Sequence, residues 1–345
     1  MERKMAWIES ADKLAIRVSE LPPLGADEVL IKTEYSAICG SDLHLYHDRH
    51  PFVKAPSTIG HELCGRIVAV GEKVTDFSVG QRVVPEPILT CGKCDFCRSG
   101  QYHMCRHVSL GYRQGQAGFG DYYICQDQWV HPLPDTLSAK AGALIEPLSV
   151  AIHGCEKAGE MLGRSVVIMG AGAIGAFAAA VCRAKGATTV ILVDTNQTRL
   201  EIAGKGVTSF LINPSQCDAA ALIDQITNHS GCHAVIECTG ALPCAKLALE
   251  VVRPMGTIVQ MGIPSSEFAG YPYARLISKE ITLKGSQAYC FDFQKAIELA
   301  ASGAVPLERY ISRIFPFEQI QQAFELVCTP GTPVMKVLIS YGKDA

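Results

Sequence analysis

Ser165-Val-Val-Ile-Met-Gly-Ala-Gly-Ala-Ile-Gly175 is the stretch whose reading decides the fold. An apolar strand runs directly into a Gly-x-Gly-x-x-Gly turn, and the alanine-rich run that follows, Ala173 to Ala184, opens a helix. A second apolar run over 189–194 (TVILVD) completes a strand-helix-strand unit. Each glycine has its own reason: Gly170 permits the tight turn, Gly172 lets the backbone approach a pyrophosphate at the helix N-terminus, and Gly175 lets helix and sheet pack closely. Ile174 sits within the same turn. Asp194 lies 19 residues past Gly175, where a carboxylate accepts hydrogen bonds from both ribose hydroxyls and repels a 2′-phosphate, so the pattern points to NAD rather than NADP. Arg199 is a nearby cation that either faces the adenosine or is solvated. A turn that merely packs a helix on a strand uses the same glycines, but the strand before it and the acidic residue after it favour a bound dinucleotide.

Outward from this unit, further strands are expected over 209–212, 234–238, 257–261 and 281–284, giving about six in an open parallel sheet that ends near Gly285. A helix over 292–302, an isoleucine-rich stretch over 310–314, a helix over 317–327 and a strand over 335–340 follow and should return to the first domain. Before residue 150 the texture differs: short β-rich runs over 28–34, 65–70 and 82–85 lie between Gly and Pro signals. The expected organisation is therefore α/β, with a β-rich domain over 1–150, a doubly wound parallel-sheet coenzyme domain over 151–285, and a return segment over 286–345.

Composition narrows the class. Hydrophobic residues make up 48% of 345 and charged residues 19%, the profile of a compact mixed enzyme rather than a disordered or fibrous chain. The net charge of −3 offers no basic stripe, so nucleic acid is not an expected partner. The first residues contain no apolar run that would serve as a signal sequence, and no segment is long and charge-free enough to span a bilayer, so a soluble cytoplasmic protein is expected. Fifteen cysteines, an odd number, cannot all pair, which favours reduced thiols with some acting as metal ligands.

Four of these cysteines, Cys91, Cys94, Cys97 and Cys105, follow a C-x2-C-x2-C-x7-C spacing in a polar loop. Four thiolates fill a tetrahedral zinc and leave no vacancy for substrate, which makes such a site structural. An iron-sulfur cluster uses similar gaps, although the proline that usually follows the last cysteine is absent. A third constellation is dispersed: Cys39-Gly40-Ser41-Asp42-Leu43-His44, Gly60-His61-Glu62 and Glu146-Pro147-Leu148. Taken singly, Cys39 reads as a small buried hydrophobe, His61 as a core histidine and Glu146 as a surface carboxylate. Together they offer sulfur, nitrogen and carboxylate oxygen, a mixed set suited to a catalytic zinc with one exchangeable position.

At these residues the sequence resembles the zinc-containing medium-chain alcohol dehydrogenases, and within them the sorbitol and threonine dehydrogenase branch. The resemblance runs nearly end to end. It implies a GroES-like catalytic domain built from both chain ends, a Rossmann coenzyme domain between them, and a cleft where zinc meets nicotinamide. It also implies a homodimer or homotetramer formed through the coenzyme domain's edge strand near 281–284. By resemblance, Cys39, His61 and Glu62 are catalytic zinc ligands, and Glu146 either ligates the zinc or holds its water. Ser41 and His44 match a proton relay, Cys91, Cys94, Cys97 and Cys105 match the structural lobe, and Ile174, Asp194 and Arg199 match coenzyme contacts. Where sorbitol dehydrogenases carry an Arg-Tyr pair that touches the polyol, this chain has Ala288-Tyr289, which puts sorbitol itself in doubt. Arg49, Lys54, Arg113 and Gln114 either meet an acidic, phosphorylated or amino-acid substrate or are solvated surface residues.

The implied reaction transfers hydride to NAD from a secondary alcohol of a small polar substrate: a polyol, sugar acid or sugar phosphate. L-Threonine 3-dehydrogenase is the second enzyme reading, since it shares the Cys-Gly-x-Asp-x-His and Gly-His-Glu elements. A non-catalytic zinc- and NAD-binding structural protein, or a thiol redox sensor, is the reading from another class. The presence together of Cys39, Ser41, His61, Glu62 and Asp194 argues against it.

Overall fold

The structure, a computed structural model, describes residues 1–49, 53–110, 116–264, 270–329 and 331–342. Arg113 and Gln114 lie outside the described residues. The chain divides into two units: Met1–Glu146 with Ala296–Ala301 and Pro306–Ala345, and Pro147–Lys295 with Ser302–Val305. The first boundary thus falls at Glu146 rather than 150, and the return comes after Lys295 rather than 285. Side-chain pairing explains the later return. Asp292 Oδ2 lies 2.9 Å from His153 Nδ1, and Lys295 Nζ lies 2.7 Å from Glu156, so 292–295 is tied to the second unit.

The second unit is a six-stranded sheet in the order Phe210–Ile212, Thr189–Val193, Ser165–Met169, Cys232–Glu237, Val252–Gln260, Thr282–Gly285. Every pairing in it is parallel. The two central strands, Ser165–Met169 and Cys232–Glu237, are where the chain switches its winding direction, and ligands of such sheets bind beyond the strand ends at that point. Helix Ala173–Ala184 begins where the sequence places it, and its residues from Gly175 to Cys182 are all buried. The glycine turn shows three distinct constraints. Gly170 has φ +98, and a Cβ on Gly175 would lie 1.8 Å from the Gly170 carbonyl oxygen, whereas a Cβ on Gly172 would meet nothing within 4 Å. Strand and helix therefore close on Gly175, while the space in front of Gly172 stays open.

The first unit is built on the long strand Glu28–Ala37. It pairs antiparallel with Glu62–Val70, with Tyr122–Gln126 and with the C-terminal strand Lys336–Ser340. The last strand also pairs parallel with Ile311–Pro316, so the chain end lies inside a sheet begun more than three hundred residues earlier. A hairpin of Glu2–Ser10 and Lys13–Glu20, not expected from the sequence, covers one side. Buried Ile8, Ile59, Phe119, Phe324 and Ile339 form the core between hairpin, sheet and helix Ile320–Cys328. Among the described residues no helix is long and apolar enough to cross a membrane.

Candidate active site and metal centres

Ala37 in the central strand fixes the site, because its two sheet neighbours are Glu62 on one side and Leu338 on the other. Two residues beyond Ala37 the strand has ended and Cys39 caps helix Gly40–Tyr46. Asp42 holds this cap, accepting a hydrogen bond from the Cys39 backbone N–H at 2.9 Å through Oδ2. Its other oxygen, Oδ1, stands 3.5 Å from His61 Nδ1, and both side chains are buried. A carboxylate behind a histidine in this way fixes the ring's orientation for a metal at the other nitrogen.

The ligand atoms of Cys39, His61 and Glu62 lie within 4.8 Å of one another. Glu146 is buried nearby at the start of helix Ile145–Lys157 but does not belong to that three-residue set. Lys336, which the sequence did not single out, reaches Glu62 across 274 positions of chain. Its ammonium donates to Glu62 Oε1 at 2.6 Å, to Glu62 Oε2 at 2.5 Å and to the Ile38 carbonyl at 3.1 Å. Sequence offers little signal for such a residue, since lysines are rarely fully buried unless paired.

Charge in this cluster is unbalanced. Buried Asp42, Glu62 and Glu146 bring three carboxylates, Cys39 adds a thiol, and among the described residues Lys336 is the buried ammonium facing them. Burial pushes Glu146 up to about 7, with His61 opposing and Glu62 adding to the rise. Burial works against a charged His61, yet Asp42 and then Cys39 push its ring well above the usual histidine range. Protons drawn onto these two groups mark a place where positive charge is favoured, and the sulfur, nitrogen and oxygen donors suit zinc.

On the same helix Ser41 is half-buried and His44 is exposed one turn further on, and no hydrogen bond joins them among the described residues. Arg49 and Lys54 are both exposed, and Lys54 donates to the Asp48 carbonyl at 2.8 Å.

The second cysteine cluster stands on a lobe between the short paired strands Ile88–Leu89 and Ser109–Leu110. The cysteines there are half-buried, apart from Cys105, which is buried. Cys94 Sγ lies 3.5 Å and Cys91 Sγ 4.0 Å from Cys97 Sγ, and all four sulfurs fall within 4.8 Å of one another. A tetrahedral ion with metal–sulfur bonds of about 2.3 Å sets sulfur separations of about 3.8 Å, so the spacing fits one ion. A multi-iron cluster, with its thiolates on separate irons, needs them farther apart. Backbone N–H groups point at the sulfurs: those of Cys97 and Arg106 hold the Cys94 thiol down to about 6.

In the second unit, Asp194 accepts from Ala171 N–H at 2.6 Å and from Asn196 N–H at 2.8 Å, which seats its carboxylate against the glycine turn. Arg199 lies in the first turn of helix Gln197–Gly204, with Nε buried and without a hydrogen-bond partner among the described residues. Ile174 is half-buried in the first turn of its helix. Sequence reasoning also passed over Glu237, which is fully buried at the end of its strand. It accepts from Thr239 N–H at 2.7 Å, from Gly240 N–H at 2.9 Å and from the Gln260 amide, shaping the turn beside Gly170. Ala288 has φ 48 and Tyr289 is buried with its ring edge-on to Phe293 at 5.0 Å. The tyrosine at this position therefore packs into the core.

Residues 25–135 match the alcohol dehydrogenase GroES-like domain and residues 173–302 match the zinc-binding dehydrogenase domain. The chain is 35% identical to a sorbitol dehydrogenase of Bacillus subtilis, over 97% of this chain and 96% of that protein. It is 34% identical to D-xylulose reductase A of Aspergillus oryzae, over 93% of this chain and 92% of that protein. The solved L-idonate 5-dehydrogenase of Escherichia coli superposes with a TM-score of 0.91 at 26% identity, over 99% of each chain.

The Lys336–Glu62 pair makes a prediction. Lys336→Met leaves Glu62 buried and unpaired, so denaturant unfolding of chelator-treated protein should show a loss of about 3 kcal/mol or more. With zinc restored, part of that loss should disappear as the ion takes over the carboxylate's charge. An unchanged unfolding midpoint under both conditions would show that the pair holds nothing in place.

Proposed function

The chain belongs to the zinc-containing medium-chain alcohol dehydrogenases, in their sorbitol dehydrogenase branch, and on that premise we propose that it oxidises a secondary alcohol of a small polyol or sugar derivative with NAD. It is a dehydrogenase that works with zinc and a nicotinamide coenzyme. The observation that carries the proposal is the convergence of Cys39, His61 and Glu62 on one point, with Asp42 behind the imidazole and Lys336 behind the carboxylate. In this proposal Cys39, His61 and Glu62 hold a catalytic zinc, Glu146 stands beside it, and Cys91, Cys94, Cys97 and Cys105 hold a second, structural ion. When bound, the catalytic zinc supplies the Lewis acidity that lets a hydroxyl ionise near neutral pH, and the nicotinamide supplies the hydride acceptor.

The chain's own residues do the rest. Ser41 Oγ takes the substrate's hydroxyl proton and exposed His44 passes it to water. Lys336 holds the buried Glu62 side chain in place, and Asp42 keeps His61 in the ligating orientation. In the coenzyme unit the open space at Gly172 admits a pyrophosphate, while the Asp194 carboxylate meets the ribose hydroxyls. The relatives' names, sorbitol dehydrogenase, D-xylulose reductase and L-idonate 5-dehydrogenase, share a polyhydroxylated carbon chain, which is the substrate class proposed here.

The strand Thr282–Gly285 is the last of its sheet and all four residues are exposed. Ile277 is 73% and Met255 74% exposed. An unpaired edge with apolar neighbours suits pairing with a second copy, which also leaves no open edge. Sedimentation should therefore find a dimer or tetramer; a monomer at working concentration contradicts this.

For Asp194, the ratio of coenzyme affinities is the informative quantity, because the carboxylate also holds Ala171 N–H. Asp194→Ala should weaken NAD about tenfold or more beyond any loss for NADP, the worth of one charge-assisted hydrogen bond. Equal losses would remove its assigned role. The function as a whole is tested by NADH formation with zinc-loaded protein across polyols, sugar acids, sugar phosphates, 2,3-butanediol and L-threonine. Turnover of a polyhydroxylated compound is expected; turnover of threonine alone, or silence across the panel, contradicts the proposal.

A further inference from the structure

Asp12, His47 and Cys328 form a second arrangement of titratable side chains in the first unit, distinct from the zinc ligands. Asp12 lies in the turn between the two N-terminal strands with φ 62, His47 caps helix Gly40–Tyr46, and Cys328 closes helix Ile320–Cys328. His47 Nδ1 is 2.5 Å from Asp12 Oδ1, and its Nε2 is 3.4 Å from Cys328 Sγ. Carboxylate and sulfur thus meet opposite nitrogens of one ring. No single point is close to all three ligand atoms, so the arrangement does not suit a metal; it suits a proton path. A carboxylate oxygen at Nδ1 selects the tautomer with hydrogen there, which leaves the Nε2 lone pair facing the thiol.

Gln321 fixes the geometry from the helix side. Its amide nitrogen lies 3.2 Å from the Asp12 carbonyl, 2.9 Å from Tyr46 Oη and 2.8 Å from Glu325 Oε1, acceptors that share its two hydrogens. Burial, followed by the charge of Asp12, pushes the Cys328 thiol up. The resting sulfur is therefore protonated, and its proton has to leave as the sulfur attacks. His47 keeps 30% of its side chain exposed and Cys328 is half-buried, so a small reagent can approach.

We propose that Cys328 is a modification site: a thiol activated by His47 and Asp12 for exchange with small soluble disulfides. The Cys328 proton passes to His47 Nε2 while the sulfur bonds to one sulfur of the reagent. The reagent's own S–S bond breaks, and its departing thiolate takes the proton from the imidazolium. The reagent is the oxidant: one of its sulfurs leaves as a thiol, and Cys328 is left in a mixed disulfide.

Cys217 supplies an internal reference. It is the exposed cysteine, and its sulfur lies 3.5 Å from the Asn213 carbonyl. Zinc-loaded protein is incubated with glutathione disulfide, and the glutathionyl group is followed at each cysteine by peptide mass spectrometry. Cys328 should react about a hundredfold faster than Cys217, the lower end of what a positioned base contributes. His47→Gln and Asp12→Asn should each bring Cys328 down to the Cys217 rate or below while leaving Cys217 unchanged. An unchanged Cys328 rate in His47→Gln, or a faster Cys217 in the parent protein, overturns the proposal. Should His47→Gln also alter Cys217, Asp12→Asn decides by the same criterion.

Discussion

A buried ammonium on a buried carboxylate, Lys336 on Glu62, is the interaction on which the rest of the first unit depends. Neither charge is stable alone in that interior, and each is tolerable only because the other is there. To bring them together the chain must leave the first unit, build a complete parallel sheet, and return a strand beside Glu28–Ala37. The C-terminal strand is therefore as much part of the Cys39, His61 and Glu62 cluster as Cys39 is. Its pairing with Ala37 sets the reach of Lys336, and the pairing of Ala37 with Glu62 sets the target.

The two cysteine centres use the same atom for different ends. In the lobe, four sulfurs near the surface converge with backbone N–H groups pointed at them, an arrangement complete in itself. At Cys39 a single sulfur joins an imidazole and a carboxylate, and each partner is steadied by a further buried charge. In the proposed reading the mixed donors suit an ion with an exchangeable ligand, and the four sulfurs suit a closed one.

The glycine turn, its strand and its helix could be read from sequence because local periodicity and local chemistry agree there: Ser165–Met169 and Ala173–Ala184 stand where the pattern places them. The clustering of the four cysteines was legible for the same reason, their sulfurs being close in sequence. The N-terminal hairpin was not, since its turn uses Asp12 at φ 62 where a search for turns looks for glycine. Asp42 looks like a helix-start residue, and only the structure shows its second oxygen at His61. Lys336 had no local signal at all, because its partner is fixed by sheet register. Glu237 was hidden likewise, its role being set by the turn it shapes beside the neighbouring strand.

Zinc K-edge X-ray absorption on a Cys97→Ser protein, with the lobe disabled, examines the central cluster by itself. Ligation by Cys39, His61 and Glu62 predicts one sulfur at about 2.3 Å, with the remaining neighbours nitrogen and oxygen at about 2.0–2.2 Å. A shell without sulfur, or one with several sulfurs, would contradict the account.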